Sequence, residues 1–560
     1  MPIAESVGGR GHTLPIVTSS AAVPSGPTGV GPVEARAGSG RVFIDARTLT
    51  GCRHRFHLDC IDPIPDAETN PGVRQRREAA ASFREQVRLA LTAADPDWVQ
   101  IDADGDSAER VAATMLACRN GAQKIWGGLL PIEENSGRRG GAEILLRDAA
   151  GGYRPVIVVN HKVTDPRMSD DVTAAVTSDV TRWDPQPDPG RKIRPQLRDQ
   201  LRLAHIYRML QAHGLASPSL QGGVIGYGFD CMLVHDVAQV LDEYDGRFDD
   251  LQAIARGDLD TAPSLISECR VCPWATRCRA ELAVARDVSL VASGSRADVL
   301  RAAGITTIDE LAAWRADAPE GWQYGDFRDV VVTATAWQRD VPLVRRVPHV
   351  SVTRADVEVD VDLESYQEHG AYLWGTLLDG QYRAFLTWQP LPTTDEGRAF
   401  GEFWTWLMRT RADALAAGKT FAAYCYSRSA EDKWLLESAQ RFAGMAGVPS
   451  IEEVREFIDG PHWVDIYQAV SDQFICPNGK GLKRVAPVAG FSWRDPEASG
   501  EASMGWYREA VGYDGEPKLD QRSRILTYNE DDVLATMTLR EWMTVAANDQ
   551  IPTAAELLAD

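Results

Sequence analysis

The chain of 560 residues contains no run of about 18 apolar residues, and it does not open on a basic stretch followed by an apolar one. Both absences speak against a membrane span or a secretory signal, and a cytoplasmic protein with no membrane partner is expected. Basic charge is also short, with 59 Lys and Arg against 80 Asp and Glu and a net charge of −21. Such a chain does not coat DNA or anionic lipid non-specifically, so contact with nucleic acid needs local basic patches or metals held by carboxylates. No internal repeat is present. Gly418-Lys419-Thr420 ends like a phosphate-binding loop, but Asp413 stands where its first glycine belongs, which leaves no support for an ATP-driven motor. Cysteines are few and odd in number, nine in all, which is no extracellular disulfide framework.

The chain does have material for packed cores, with 44% apolar and 25% charged residues. Residues 1–40 are rich in Gly, Pro, Ser, Ala and Val without periodicity, the pattern of a disordered lead. From 41 to 285 helical patterns (78–94, 107–119, 196–212) alternate with apolar runs at 143–146, 156–159 and 222–227, the first two joined through Gly151-Gly152. This alternation predicts an α/β domain. A small helical unit follows over 286–320, then a linker with strands over 321–353. A second α/β region is expected over 354–547, with Asp379-Gly380 as a hairpin turn and helices at 395–417, 429–444, 451–459 and from Asn529 onward. Residues 548–560 form a tail.

Cys269-x2-Cys272-x5-Cys278 closes the first α/β region, and Cys52 lies far upstream in Gly51-Cys52-Arg53. Three thiolates within ten residues and a remote fourth suit an iron–sulfur cluster or zinc; Cys60 could replace Cys52, and reduced thiols scattered by chance are the plain alternative. The arrangement resembles the iron-staple RecB-like nucleases of the PD-(D/E)XK superfamily over about residues 42–281, including 125–129 and 137–143. That resemblance implies a 4Fe-4S cluster on Cys52, Cys269, Cys272 and Cys278, with zinc as the alternative, and makes Glu143 the first metal acid. On the next strand, Val158-Val159-Asn160-His161-Lys162, Asn160 stands where the family has its second acid, two before Lys162. An amide is a neutral and weaker ligand, so this site is expected to be degenerate, leaving a nucleic-acid-binding platform. The following helix only partly matches the family's Gln-x3-Tyr signature, since Leu203 precedes Tyr207 by four. Arg194, Arg198 and Arg202 recur at i, i+4 and i+8 on its other face, where they either track a phosphate backbone or form a solvated face. Residues 286–320 resemble a helix-hairpin-helix module with Ala303-Gly304-Ile305 at the turn.

In Val357-Glu358-Val359-Asp360-Val361-Asp362-Leu363-Glu364 apolar and acidic residues alternate strictly, which puts the four acids on one face of a strand. Asp362 and Glu364 then point the same way, about 6.5 Å apart. Such stacked charge needs either solvent or metal. Far downstream, Tyr528 and Asp532 stand four apart in Tyr528-Asn529-Glu530-Asp531-Asp532, at what reads as the acidic first turn of a capped helix. Together the segments resemble the DEDD exonucleases of the ribonuclease H-like (DnaQ-like) superfamily, most of all the YprB-type domain fused behind RecB-like nuclease domains; residues 371–375, 463–467, 481–487 and 528–533 carry the likeness. It implies that Asp362, Glu364 and Asp532 hold Mg²⁺ or Mn²⁺ and that Tyr528 orients the attacking water. Glu431 is the best candidate for the remaining acid and Asp432 the second, while Asp465 is expected to be structural or to act on the metal only through its ligands. The chain as a whole is expected to be a PD-(D/E)XK-like domain, a hairpin module and a ribonuclease H-like domain. The implied activity is a metal-dependent nuclease in DNA repair or processing, trimming single strands 3′→5′, with a helicase acting in trans. The alternative from another class is a catalytically silent nucleic-acid-binding adaptor.

Overall fold

The computed structural model describes residues 42–62, 71–167, 169 and 171–559; the expected disordered lead lies outside them. Two compact units emerge, one running to Pro263 and including Glu268–Thr276, the other comprising Ser264–Ser267 and the chain from Arg277. None of the described helices is long and apolar enough to cross a membrane.

The first unit is built on an eight-stranded sheet. Three strands form its antiparallel centre, Lys124–Leu130, Gly140–Arg147 and Tyr153–Val158, and the last of these pairs in parallel with Gln221–Ile225. Parallel neighbours need a crossover, and the helix Leu197–Ala212 lies within it. Its Leu201, Ala204 and Met209 are buried in one core with Leu145, Ile157 and Val224. The strand expected over 156–159 ends at Val158, so Asn160 and Lys162 lie beyond it and are exposed. The helix expected from 78 begins at Pro71.

The second unit opens with the helices Ser295–Ala302 and Ile308–Ala312 around Gly304, whose φ of +82° suits the tight turn between them. A capping box, Thr307 with Glu310, starts the second of these. The expected strand-rich stretch from 328 is instead a helix, Phe327–Gln338, capped by Asp326. Its β-branched Val330-Val331-Val332 suggests a strand, but Val331 and Ala334 pack on Leu300, Ile308 and Leu311, and that burial outweighs local propensity. The expected tail is also folded. Its helix Ala554–Ala559 buries Leu557 with Val332 and Ala336 of this helix.

Behind these helices stands a five-stranded sheet in the order Gln381–Leu386, Gly370–Leu378, Val357–Tyr366, Phe421–Cys425, Trp463–Asp465. The first three strands are antiparallel and the last two join in parallel. Val357–Tyr366 is therefore central, not the solvated edge that four acids on one face allow. Val359 and Val361 pack on Phe400, Phe403 and Trp434 of the helices Asp395–Ala416 and Arg428–Arg441. The opposite, acidic face is covered by the helix Leu519–Val545. That helix starts at Leu519, not near Asn529. Asn529, Asp531 and Asp532 thus sit in its middle, where the helix dipole gives no help and tertiary partners must hold them instead.

Candidate active site

On the central strand, Glu358 and Asp360 are taken up by Arg540, while Asp362 and Glu364 meet Asp532 from the long helix. One ligand oxygen from each of Asp362, Glu364 and Asp532 lies within 4.8 Å of the others; among the described residues this is the one group of three that could grip a single ion. Each carboxylate is aimed by a neutral donor. Asn529 Nδ2 donates to Asp362 Oδ2 at 2.7 Å, and Asn529 Oδ1 in turn accepts from the Tyr382 hydroxyl at 2.8 Å. Ser503 Oγ donates to Glu364 Oε2 at 2.7 Å, and the Trp493 indole N–H to Asp532 Oδ1 at 2.6 Å. Asn529 comes this close because Gly375 lies opposite Asp362 in the sheet. A Cβ there would stand 1.6 Å from Asn529 Oδ1.

Glu431 is placed by a separate device. Ser427 takes a φ of +76° at the turn between strand and helix, and Asp465 holds the turn by accepting from the backbone N–H groups of Ser427 and Arg428 at 3.0 and 3.2 Å. Glu431 then falls in the first turn of Arg428–Arg441, buried, with Oε2 lacking any hydrogen bond among the described residues. Asp432, the other candidate, is occupied by Arg428 and by the Trp463 indole N–H.

The site is short of positive charge. Burial, then the charges of Asp532, Glu364 and Glu431, lift Asp362 well above the usual carboxylate range. Burial lifts Glu364 and Glu431 to about 8 each, and Asp532 is raised as well. The one nearby cation is Lys483, whose own pKa is lowered by burial and supported by Asp532, Glu364 and Asp362. Its Nζ donates to the Ala498 carbonyl at 2.6 Å and sits 4.4 Å from the centre of the Tyr528 ring. The buried Tyr528 packs edge-on against Trp506 and shares its hydroxyl with Asp532. Asn529, Ser503, Trp493, Tyr382 and Lys483 were not expected from the sequence as site residues. Gly375, a glycine inside a strand, was the signal for Asn529. Nothing in the local pattern singles out Ser503 or Trp493.

A pH dependence follows. In the unfolded chain these acids lose their protons near pH 4 to 4.5. In the metal-free fold Glu364 and Glu431 keep theirs to about pH 8. Between those limits the native state binds more protons than the unfolded one, so stability falls as pH rises through the window. Glu396 at about 7 and Asp360 at about 6 add to the same slope. Thermal melts in chelator should show the midpoint dropping from pH 5 to 8.5, less steeply in Glu431→Gln. A flat profile would mean the acids are not buried together.

The remaining candidates lie in the first unit, save Cys278, which falls in the second. Glu143 accepts from Arg202 Nη2 at 2.6 and 2.8 Å, so Arg202 is paired with the expected metal acid and does not stand free in an arginine row along the helix. Arg194 precedes the helix, at 4.0 Å from Asp165, and Arg198 is exposed on it, so the three arginines do not form one stripe. His161, beside Asn160 and Lys162, bonds the buried Asp199 at 2.8 Å. Cys52 caps the helix Arg53–Ile61, its Sγ accepting from the Arg55 N–H at 3.4 Å. Asp59 of that helix accepts from the Trp274 indole at 2.7 Å, tying the Cys269–Cys272 loop to it. Cys278 follows on Ala275–Ala285. No cysteine is in a disulfide, and no three described thiols lie within 4.8 Å of one another, the spacing one zinc ion requires.

No curated protein and no solved structure gives a significant match to the chain. A family model does match: residues 362–544, about a third of the chain, fit that of the RNase_H superfamily. The match opens on Asp362 and includes every member of the acidic group. This part of the chain is thus similar to RNase H-like domains, which use divalent metals, and it carries an acidic group that could hold one.

Proposed function

We propose that the protein is a metal-dependent exonuclease that trims single-stranded nucleic acid, DNA foremost, from its 3′ end through the site on the central strand. The observation that carries this is the group Asp362, Glu364 and Asp532, within 4.8 Å, with the charge of the buried Glu431 acting on Asp362 from nearby. Four carboxylates, three buried and Asp362 half-buried, against one lysine are poorly balanced by protein alone, and the donor set is all hard oxygen, which suits Mg²⁺ or Mn²⁺. Asp362, Glu364 and Asp532 would hold such metal, with Glu431 beside them; when bound it supplies a nucleophile at neutral pH and offsets charge at phosphorus.

The chain's own residues do the rest. Tyr528, its hydroxyl beside Asp532, orients the incoming water. Lys483 opposes the negative charge that gathers on the phosphate. The water oxygen bonds to phosphorus, the bond to the 3′ oxygen breaks, and that oxygen takes up a proton while the water gives one up. Asn529, Ser503 and Trp493 fix the carboxylates so that little reorganisation is needed. Tyr528→Phe should lower the turnover number about 10²-fold with the Mn²⁺ titration midpoint unchanged, as loss of a water-orienting hydroxyl does. A shifted midpoint would make Tyr528 part of the metal site instead.

The first unit resembles the RecB-like PD-(D/E)XK nucleases in its strand–strand–strand–helix–strand order, and a 4Fe-4S cluster on Cys52, Cys269, Cys272 and Cys278 is part of this reading. Its support is the Cys52 cap, the Asp59–Trp274 tie, and the mutual influence of Cys52 and Cys269 on Cys272. Cys60 suits the role less, since burial and Asp59 push its thiol up to about 11. The unit would then serve as a binding platform in a cytoplasmic repair complex, with strand opening left to a helicase partner. The test is degradation of end-labelled single-stranded DNA and RNA in Mn²⁺ by anaerobically purified protein. Shortening from the 3′ end is expected. Binding without cutting would make the protein a silent adaptor, and loss from the 5′ end would reverse the polarity.

A further inference from the structure

At Glu143 a metal site is replaced by its electrostatic opposite. A two-carboxylate site would draw a cation, but Asn160 carries no charge and lies exposed past the strand end. Both oxygens of Glu143 are engaged by Arg202, and one also accepts from the Val158 N–H at 3.3 Å. Two more guanidinium groups stand around this pair. Arg84, on the helix Pro71–Ala94, lies within Coulombic range of both, and the exposed Arg47 lies within range of Arg84. Neither guanidinium has a hydrogen bond or a salt bridge among the described residues. The Arg202 side chain keeps 28% of its surface open, so the group is reachable from solvent.

Three guanidinium groups thus gather around one carboxylate, which Arg202 bonds and Arg84 lies near, and the cluster carries an excess of positive charge. Crowding of like charge lowers the Arg84 pKa, after burial, through Arg202 and Arg47. An incoming anion would relieve that repulsion. Guanidinium forks match the paired oxygens of a phosphate, and a phosphodiester carries the single negative charge each link of a nucleic-acid strand offers.

We propose that Arg47, Arg84 and Arg202 form a metal-independent site for a backbone phosphate of nucleic acid, with Glu143 as the counter-ion whose charge competes with the phosphate for Arg202. The assignment rests on the nucleic-acid reading above and adds to it where, and by which residues, the first unit grips a strand. It also gives the degenerate nuclease site a role that needs no metal.

The experiment is binding of a fluorescent oligothymidylate to the full chain in chelator, where cleavage is silent, over a range of salt. Arg84→Gln should weaken binding about tenfold at low salt and reduce the slope of log K against log salt by about one. Arg84→Lys should restore the slope but not the full affinity. Glu143→Gln should tighten binding several-fold, because the opposing charge is gone; a metal-ligating Glu143 would leave metal-free binding unchanged. Melts of each variant check that the fold persists, and inorganic phosphate in a parallel thermal-shift series tests the other source of the same chemistry. If Arg84→Gln and Glu143→Gln both match wild type in affinity and slope, or wild type does not bind in chelator, the proposal falls. It also falls for nucleic acid if phosphate stabilises wild type through Arg84 while oligonucleotide affinity ignores it. None of these outcomes depends on cutting, so the exonuclease reading stands or falls separately, on the Mn²⁺ degradation assay.

Discussion

Asp362→Asn should abolish metal-dependent cleavage, by on the order of 10³-fold or more, while making the metal-free protein more heat-stable. The two effects have one cause. Asp362 sits among Asp532, Glu364 and Glu431, and burial and those three charges all resist its ionisation. An amide of the same shape keeps the bond with Asn529, because its oxygen can accept where Asp362 Oδ2 now does. The buried like-charge repulsion is removed and no cavity is made, so the fold gains. Catalysis loses a charged ligand whose value lies in the transition state. A 10³-fold drop corresponds to about 4 kcal/mol of lost stabilisation. Asp532→Ala should lose as much activity but gain less stability, since it strands the Trp493 indole N–H, now bonded at 2.6 Å. Degradation assays paired with melts in chelator and in Mn²⁺ check this. Mn²⁺ should raise the wild-type midpoint and leave that of Asp362→Asn nearly unchanged. An Asp362→Asn protein that still cuts, or one destabilised in chelator, would remove Asp362 from the metal site.

Strict alternation over 357–364 was enough to place four acids on one strand face, and the four-residue spacing of Tyr528 and Asp532 was enough to put them on one side of a helix. What the sequence could not divide is the acidic face itself. Two of its acids hold an arginine and two face Asp532, and nothing local distinguishes the pairs, because the division depends on where a helix 160 residues away docks. The start of that helix was misplaced for a related reason. An acidic segment after Thr527 looks like a first turn, yet Arg494 and Trp493 neutralise it from another element, so the helix runs through it. Arg194, Arg198 and Arg202 show the same limit in the first unit. Their spacing is helical, but Arg202 belongs to Glu143 and Arg194 lies outside the helix. The stretch Val330-Val331-Val332 shows that β-branched runs yield to helix packing when three turns of core demand it.

Arg540→Met should cost the second unit about 3–5 kcal/mol, because the buried Asp360 is left without its cation and Glu358 with Arg354 in its place. Arg540 is 2% exposed. It donates to Asp360 at 2.8 Å, bonds Glu358 as well, and lies 4.1 Å over the Tyr424 ring. Glu358 has other support, from Arg354 at 2.7 Å and the Tyr424 hydroxyl at 2.9 Å, and is held down at about 2. Asp360 has no other hydrogen-bond partner among the described residues, and burial raises it to about 6 even with Arg540 present. The cost should therefore shrink as pH falls toward 6, because Asp360 without Arg540 keeps its proton to a higher pH than it does with it. Arg540→Met/Asp360→Leu should recover much of the loss, because a buried ion pair replaced whole by apolar groups is close to neutral. The consequence for the site is one of register. From Asp532 to Arg540 is eight helical residues, about 12 Å, and from Glu358 to Asp362 is four strand residues, about 13 Å. The matched spans mean that pairing Arg540 with the first two acids brings Asp532 against the last two. Arg540→Met should thus weaken Mn²⁺ binding although Arg540 touches no metal ligand, and the double variant, stable again but without that clamp, should recover the melt and not the metal affinity. Recovery of both together would show that Arg540 serves stability alone.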